Sequence, residues 1–408
     1  MAERSIEAAQ PQGRGAISKI LVRLIGLVSF GLLGFLIIGM IVRFTTPVPV
    51  QRLALVEDVP LPGIVVAPPG QPPILTVRSD RFDFQALDPQ TGLLFIAHPG
   101  PTAAKATVLL QEQLPAGTQI KPTIVVFNTR TNQYVGSLDV PFVQGIAVAP
   151  DLHKVYAADH NDSKIFVIDE RTLKVITQIK ATQNPDSLEY VQDLQQVYVS
   201  EPGLATPGKG VEDVIDAQSD QVVQAINLGA DTGLGHTRYD SVSHQVFVVI
   251  DTTPQNQIIV IDPLTATVRT RIALPNTCAG AHGLVIDSQQ QLAFVACVDT
   301  QNVVVVDIRT LKVIGDPQHL QQVGVKADIL ALDHVLHVLY VASASSISVF
   351  DESPAARGTL HKIGDYVVSS STSHTIAVDD TTHNIYVPLI DVGGRPTLRI
   401  EHYNQNGA

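Results

Sequence analysis

The chain has 408 residues, about two to three times the usual size of a domain, so it can form one large domain or two ordinary ones. It is 45% hydrophobic and 16% charged, which excludes wholesale disorder. The 27 basic and 39 acidic residues give a net charge of -12, which opposes binding to a phosphate backbone, so no nucleic-acid partner is expected. Two Cys residues exclude a disulfide-dense scaffold and a Cys-rich zinc or iron–sulfur protein.

The first predicted element is a membrane anchor at residues 24–42, the uncharged run LIGLVSFGLLGFLIIGMIV. At a helical rise of about 1.5 Å per residue it spans roughly 28 Å, close to the thickness of a hydrocarbon core. Four basic residues precede the run and two follow it, which predicts a cytoplasmic tail at residues 1–23 and an extracytoplasmic remainder. A cleaved signal peptide is the alternative, but its apolar region is shorter and ends in a small-residue cleavage site that this sequence lacks.

Residues 43–81 are predicted to be a linker that contains one strand. The strand is expected at about residues 52–59 (RLALVEDV), and a Pro-rich extended excursion follows at residues 60–73.

From residue 82 to about residue 405 the chain repeats itself. The clearest signal is a short β-rich run built around an aromatic residue, as in KVYAAD and QVFVVI, and it occurs seven times. The seven aromatic residues are Phe95, Tyr156, Tyr198, Phe247, Phe294, Tyr340 and Tyr386. The first interval of 61 residues contains an insertion, and the later intervals are 42, 49, 47, 46 and 46 residues.

Two further signals accompany each copy. A strand that ends in Asn or Asp follows the aromatic run, and the Asx side chain is typical of a residue that caps a turn by bonding the backbone just after it. The six residues at this position are Asn128, Asp169, Asp216, Asp262, Asp307 and Asp351. Another apolar strand, such as GLVIDS, precedes the aromatic run. A period in the forties with about four strands per unit predicts an all-β, seven-bladed β-propeller.

A propeller of this kind needs one more strand, because the seventh unit ends after three strands and leaves an unpaired edge. The strand at residues 52–59 is predicted to complete the last blade and close the ring, with residues 75–78 as the alternative. An insertion at residues 100–122 falls inside the first blade and is expected to lie on the surface.

The repeat region resembles the bacterial YVTN-type (forty-residue-repeat) β-propellers. The resemblance is carried by the YVAS-like strands, by the IDxxTxxV turns, and by SHTIAVDDTTHNIYVPL near the C-terminus, although the literal YVTN tetrapeptide is absent. It implies a secreted or surface-exposed scaffold, and it implies no particular reaction.

Candidate ligand-binding residues come from the start of each predicted inner strand, where the blades of a propeller converge on the central channel. The residues at or beside this position are Asp83, Gln144, Asp186, His236 (next to Gly235), His282, Asp328 and His374. Asp and His side chains offer oxygen and nitrogen ligands to a divalent metal ion, and His282, Asp328 and His374 are the metal candidates. The competing interpretation is a polar lining of a water-filled channel without any ligand.

Two smaller predictions concern charge and crosslinking near this ring. Either Arg81 or Arg238 is expected to supply the positive charge that the clustered carboxylates need. Cys278 precedes the inner strand of the fifth blade and Cys297 ends its second strand, so a disulfide between them is predicted in an oxidising compartment.

No dedicated catalytic motif is present. The chain has no Trp, which argues against quinone-dependent dehydrogenase propellers and the sialidase Asp box, and it lacks CxxCH, GxSxG and Walker sequences. The favoured hypothesis is a membrane-tethered, non-enzymatic binding scaffold that requires no cofactor and binds an unknown protein or small molecule. The alternatives are a lactonase-like hydrolase and a carrier or sensor of metal or small ligands, each using the Asp/His ring.

Overall fold

The computed structural model describes residues 52–405 apart from residue 63 and residues 67–68, 71–80, 101–118, 203–209, 230–232, 252–255, 354–358 and 369–373. The predicted cytoplasmic tail, the predicted anchor at residues 24–42 and the alternative closing strand at residues 75–78 lie outside the described residues. Over the described ranges, no helix is long and apolar enough to cross a membrane.

The described residues contain 31 β-strands and two short 3₁₀ helices, Pro150–Leu152 and Gln192–Leu194. In chain order the strands are β1 (Leu53–Pro60), β2 (Val65–Val66), β3 (Gln85–Asp88), β4 (Leu93–His98), β5 (Gln119–Ile120), β6 (Thr123–Asn128), β7 (Gln133–Leu138), β8 (Val143–Ala149), β9 (Lys154–Asp159), β10 (Lys164–Asp169), β11 (Lys174–Lys180), β12 (Leu188–Val191), β13 (Gln196–Glu201), β14 (Val211–Asp216), β15 (Gln221–Asn227), β16 (Leu234–Asp240), β17 (Gln245–Ile250), β18 (Gln257–Asp262), β19 (Thr267–Ala273), β20 (Ala281–Asp287), β21 (Leu292–Cys297), β22 (Asn302–Asp307), β23 (Lys312–Ile314), β24 (Gln321–Gln322), β25 (Leu330–Asp333), β26 (Val338–Ala342), β27 (Ser346–Asp351), β28 (His361–Val367), β29 (Ala377–Asp379), β30 (Asn384–Leu389) and β31 (Thr397–Tyr403).

These strands form seven antiparallel sheets, which are the blades, and a small separate pairing of β2 with β5. From the innermost strand outward, the blades are β3-β4-β6-β7, β8-β9-β10-β11, β12-β13-β14-β15, β16-β17-β18-β19, β20-β21-β22-β23 with β24 also on β22, β25-β26-β27-β28, and β29-β30-β31-β1. Each inner strand contacts the inner strands of both neighbouring blades, and β29 contacts β3. The ring is therefore closed, and the seven-bladed propeller predicted from the repeat is confirmed.

Closure of the ring depends on β1. This strand pairs antiparallel with β31 at seven positions, from Leu53 opposite Tyr403 to Pro60 opposite Thr397. The guanidinium of Arg399 also donates two hydrogen bonds of 2.8 Å to the carboxylate of Asp58. The outer strand of the last blade is thus supplied by the N-terminal side of the propeller, in the segment where the sequence placed it.

The repeated aromatic residue fills the space between blades. All seven side chains, from Phe95 to Tyr386, are 0% exposed. Phe247 of the fourth blade, for example, packs in one cluster with Ile286 and Val295 of the fifth. Because each blade must bury an apolar face against its neighbour, the aromatic recurs once per blade.

Asx side chains cap the turns between third and fourth strands. Each of the six predicted residues accepts a hydrogen bond from a backbone N–H two or three positions later, as Asp169 does from Thr172 at 2.7 Å. A second group of Asp residues ends the inner strands and bonds the next blade. Asp333 contacts His383 Nδ1 at 2.8 Å, and Asp379 accepts a bond from Thr129 at 2.8 Å. The Asp residues at both places therefore have structural roles.

Three carboxyl groups are fully buried in the third blade, on Glu201 at the end of β13 and on Glu212 and Asp213 at the start of β14. Asp213 accepts bonds from the N–H and hydroxyl of Thr182, at 2.9 and 2.8 Å, and Glu201 accepts one from the N–H of Gln183. Burial, followed by the charge of Asp213, raises the pKa of Glu201 to about 9. Glu201 is therefore protonated at neutral pH.

This carboxyl makes the stability of the propeller pH-dependent. Since the pKa of Glu201 is higher in the folded chain than in the unfolded chain, its stabilising contribution is complete below the unfolded pKa and is lost as the pH rises toward 9. We expect the free energy of unfolding to fall between about pH 6 and about pH 8.5 by at least about 1.4 kcal/mol, the equivalent of one pKa unit. Urea unfolding at the two pH values measures it.

The matched variants are Glu201→Gln, whose amide replaces the protonated acid, and Glu57→Gln, which changes an exposed carboxylate. Glu201→Gln should reduce the fall in stability, and Glu57→Gln should leave it unchanged. A fall of the same size in Glu201→Gln and in the parent chain would contradict the assignment.

Candidate functional site

The strand pairing places the predicted ring residues at one level of the channel. In every blade, one inner-strand residue pairs with the repeated aromatic, and the ring residue lies three positions before it. The seven positions are Asp83, Gln144, Asp186, Gly235, His282, Asp328 and His374. We call this end of the channel the mouth.

Asp328 is at the centre of the side-chain contacts at the mouth. Its Oδ2 lies 2.7 Å from His374 Nδ1, and its Oδ1 lies 3.5 Å from His282 Nε2. One ligand atom each from His236, His282 and Asp328 can be chosen so that all three lie within 4.8 Å of one another. Burial alone would raise the pKa of Asp328, but the nearby His282 and the bond from His374 outweigh burial and hold that pKa well below its usual range.

His374 supports Asp328 and does not offer a free nitrogen. Its Nε2 donates to the carbonyl oxygen of Phe82, and its Nδ1 donates to Asp328. Burial lowers the pKa of His374, but the hydrogen bond to Asp328 and the negative charges of Asp328 and Asp83 together exceed that effect, and the pKa is raised overall. Of the three predicted metal candidates, the structure thus brings His282 and Asp328 together, and His236 joins them in the position expected for His374.

His236 lies within the irregular register of β16 between Leu234 and Thr237. Its ring is 1% exposed and packs against Phe84, with ring centroids 4.6 Å apart, and edge-on against His282 at 5.4 Å. The N–H of Leu284 lies 3.3 Å from Nδ1, whereas Nε2 is buried without a hydrogen-bond partner. Burial, with the positive charge of Arg238 second, lowers the pKa of His236 well below its usual value, so the ring is neutral.

The remaining predicted residues have other surroundings. Asp83 forms an ion pair of 3.0 Å with Arg81, one of the two arginines considered as the source of the counter-charge. Gln144 and Asp186 are half-buried at the same level. Burial, with the negative charge of Asp83 second, raises the pKa of Asp186 to about 6.

Two acidic residues near the mouth were missed by the sequence analysis. Asp251 follows β17 and Asp299 follows β21, and after burial the negative charge of Asp299 is the second cause that raises the pKa of Asp251. His282 is close enough to act on the same carboxyl. The available signal was an Asp-Thr pair four or five residues after the repeated aromatic in two successive repeats. The mouth therefore carries more carboxylates than cations among the described residues.

Backbone packing fixes the position of Asp328. Gly283, the residue after His282, lies so close to the next blade that a Cβ atom there would stand 1.8 Å from the carbonyl oxygen of Asp328 and 2.5 Å from Leu330 Cδ1. A side chain at residue 283 is thus incompatible with the observed separation of the two inner strands.

Cys278 and Cys297 form a disulfide with an S–S distance of 2.01 Å. The bond joins the segment before β20 to the end of β21, and the side chain of Asn256 donates a 2.6 Å hydrogen bond to the carbonyl of Cys278. The predicted pair is therefore bonded, and it restrains the segment that leads into His282.

No protein-family model and no curated protein matches the chain. Solved structures match through the fold. A chain of hydrazine synthase from Kuenenia stuttgartiensis is 16% identical with a TM-score of 0.59, over 77% of this chain and 94% of its own. A chain from the crystal structure of a mitotic checkpoint complex is 10% identical with a TM-score of 0.63, over 88% of this chain and 95% of its own. At these identities the likeness shows a shared β-propeller fold.

Proposed function

We propose that this protein is a binding propeller that holds a divalent transition-metal ion, such as Zn²⁺, at the mouth of its channel. The observation that carries the proposal is the convergence of His236, His282 and Asp328, whose ligand atoms lie within 4.8 Å of one another. Imidazole nitrogen and carboxylate oxygen are the ligands that Zn²⁺ and similar ions bind in proteins.

The distance between His282 and Asp328 suits two ligands of one metal ion better than a direct hydrogen bond. Ligand atoms about 2.0 to 2.1 Å from a tetrahedral zinc ion are roughly 3.3 Å apart. His282 Nε2 and Asp328 Oδ1 are 3.5 Å apart, close to that value and too far apart for an ordinary hydrogen bond. His374 then acts on the other carboxylate oxygen as an outer-shell donor that orients the ligand.

Binding at His236 has a chemical cost that limits the affinity. Coordination through Nε2 requires the ring proton to sit on Nδ1, where it faces the N–H of Leu284. The buried N–H of Leu284 would then lose its acceptor, and an unsatisfied buried donor costs about 1–3 kcal/mol. His236 is therefore proposed as the third ligand, after His282 and Asp328.

The proposed location is the outer face of a bacterial membrane, to which the apolar run at residues 24–42 tethers the propeller. Support comes from the length of that run, from the resemblance of the repeats to YVTN-type surface proteins, and from the disulfide, a bond typical of oxidising compartments. In that setting the protein serves as a metal-dependent binding scaffold for a protein or small-molecule partner.

The test is calorimetric titration of Zn²⁺ into metal-stripped protein, together with metal analysis of protein purified without chelators. We expect one ion per chain. His282→Ala should weaken binding at least about 100-fold because it removes a ligand, and His374→Ala by about 10- to 100-fold because it removes outer-shell support. The matched control is His361→Ala, an exposed histidine on β28. Absence of bound metal, or equal affinity in His282→Ala and His361→Ala, would refute the proposal.

Hydrolysis of a lactone-like substrate is the second candidate function. Three protein ligands leave a coordination position for water or substrate, as in catalytic rather than structural zinc sites. Turnover of a lactone panel by zinc-loaded protein, lost in His282→Ala, would establish hydrolysis. Metal binding without turnover would leave the protein a carrier or scaffold.

A further inference from the structure

Two adjoining cavities lined by the inner strands form a second compartment. They have volumes of about 480 and about 300 Å³ and share Phe84 and Arg238 in their walls. Phe84 also packs on the ring of His236, and both side chains are at most 5% exposed. Within the described part of the chain, neither wall includes Asp328 or another ligand of the proposed metal site.

Half of the residues that line the larger cavity are aliphatic, but polar atoms contribute more of its exposed surface than apolar atoms do. Its apolar surface comes from the inner strands of the first, second, third and fifth blades, and includes Leu87, Ile146, Val148, Leu188, Val285 and Ile286. A volume of about 480 Å³ is in the range that accommodates small organic ligands. The cavity therefore suits a small organic ligand that carries both apolar and polar groups.

Arg238 places a positive charge in the wall of this cavity. Its side chain is 20% exposed, and among the described residues the guanidinium makes one hydrogen bond, from NH1 to the carbonyl oxygen of Thr237 at 2.7 Å. The nearest carboxylate oxygen, on Glu189, is 3.7 Å away, beyond hydrogen-bond distance. A guanidinium has five N–H donors in a planar fork, so most of them remain available to a ligand.

The other charges in the cavity walls are already engaged. His334 Nδ1 lies 2.9 Å from Asp380, and Asp379 accepts a hydrogen bond from Thr129. Arg238 is thus the wall residue best placed to recognise an anion. The sequence analysis placed Arg238 near the mouth, and in the structure Arg238 lines both cavities of the second compartment.

We propose that this compartment binds a small organic carboxylate with an apolar body. The guanidinium of Arg238 would pair with the ligand carboxylate through two parallel N–H···O bonds, while the aliphatic side chains of the walls hold the body of the ligand. The carboxylate of Glu189 lies near the same guanidinium and repels a ligand carboxylate, so it lowers the affinity for the ligand.

The test uses 4-phenylbutyrate and its neutral analogue 4-phenyl-1-butanol, titrated calorimetrically into full-length protein in nanodiscs, with empty nanodiscs as the blank. EDTA is present throughout, so that the result is independent of the metal site. We expect 4-phenylbutyrate to bind at least about tenfold more tightly than the alcohol, as a charged hydrogen-bonded pair implies. Equal affinity for the two compounds, or no binding of 4-phenylbutyrate, would overturn the proposal.

Two variants sharpen the test in opposite directions. Arg238→Gln should abolish the preference for the carboxylate, whereas Glu189→Gln should tighten 4-phenylbutyrate binding several-fold because it removes the competing charge. Arg309→Gln, an exposed arginine on a turn, is the matched control and should bind as the parent chain does. Unchanged binding in Arg238→Gln, or weaker binding in Glu189→Gln, would refute the role of Arg238.

The result of this carboxylate-binding test does not depend on whether the proposed metal site binds an ion. His282→Ala should bind 4-phenylbutyrate like the parent chain, since His282 does not line the cavity. If Arg238→Gln does not fold, the comparison of acid with alcohol and the direction of the Glu189→Gln effect still decide the proposal.

Discussion

Removal of strand β1 is expected to open the propeller and lower its free energy of unfolding by about 5 kcal/mol or more. The strand contributes seven paired positions along β31, and each backbone hydrogen bond stabilises by about 1 kcal/mol. It also buries Leu53, at 4% exposure, which adds about 2 kcal/mol, and it supplies Asp58 to Arg399. Without β1, the edge of β31 is left unpaired and prone to association.

The comparison is between a chain that begins at residue 52 and one that begins at residue 61. The first retains the compact unit Leu53–Tyr403, and the second lacks its outer strand. Urea unfolding followed by circular dichroism, with size-exclusion chromatography to detect association, measures the difference. Equal unfolding midpoints for the two chains would show that β1 does not hold the ring closed.

Gly283→Ala is expected to lower stability by about 3 kcal/mol or more and to abolish zinc binding. The new Cβ would stand 1.8 Å from the carbonyl oxygen of Asp328, so the inner strands of the fifth and sixth blades must separate. Overpacking against a flexible side chain commonly costs about 1–3 kcal/mol, and here the neighbour is backbone. The same displacement moves the carboxylate of Asp328 away from His282.

The control for this substitution is Gly136→Ala on β7, where the nearest atom to a new Cβ is Leu173 Cδ1 at 4.0 Å. That variant should be neutral or slightly stabilising, because alanine restricts the unfolded chain. Thermal unfolding and zinc titration of both variants check the prediction. Tight zinc binding by Gly283→Ala would mean that the strand separation does not position the site.

Much of the fold could be predicted from local patterns. Packing one sheet against the next has repeated consequences: the recurrent aromatic, the Asx turns and the missing strand of the last blade. These features can therefore be recognised from the spacing of residues along the sequence. The ring residues could be aligned for the same reason, since each occupies a fixed place relative to the aromatic. Cys278 and Cys297 were pairable because they lie on one hairpin.

The composition of the site is less accessible from sequence. Alternation along a strand predicts which side a residue faces, and on that basis Arg238 was placed beside His236. In the folded chain, Phe84 of the first blade packs against His236, and Arg238 lines a cavity that none of the proposed metal ligands borders. Likewise, His374 was predicted to be a metal ligand, but its Nε2 is hydrogen-bonded to the carbonyl oxygen of Phe82. His236 takes its place as a candidate ligand.

The sequence by itself determined the seven repeats, the closing strand and the level of the channel at which polar side chains gather, because each follows from spacing along the chain. Only the tertiary structure decided that His236, His282 and Asp328 converge, and that His374 donates a hydrogen bond to the other oxygen of the Asp328 carboxylate. Those contacts join different blades across the channel, and their distances depend on how closely strands such as those of Gly283 and Asp328 approach one another.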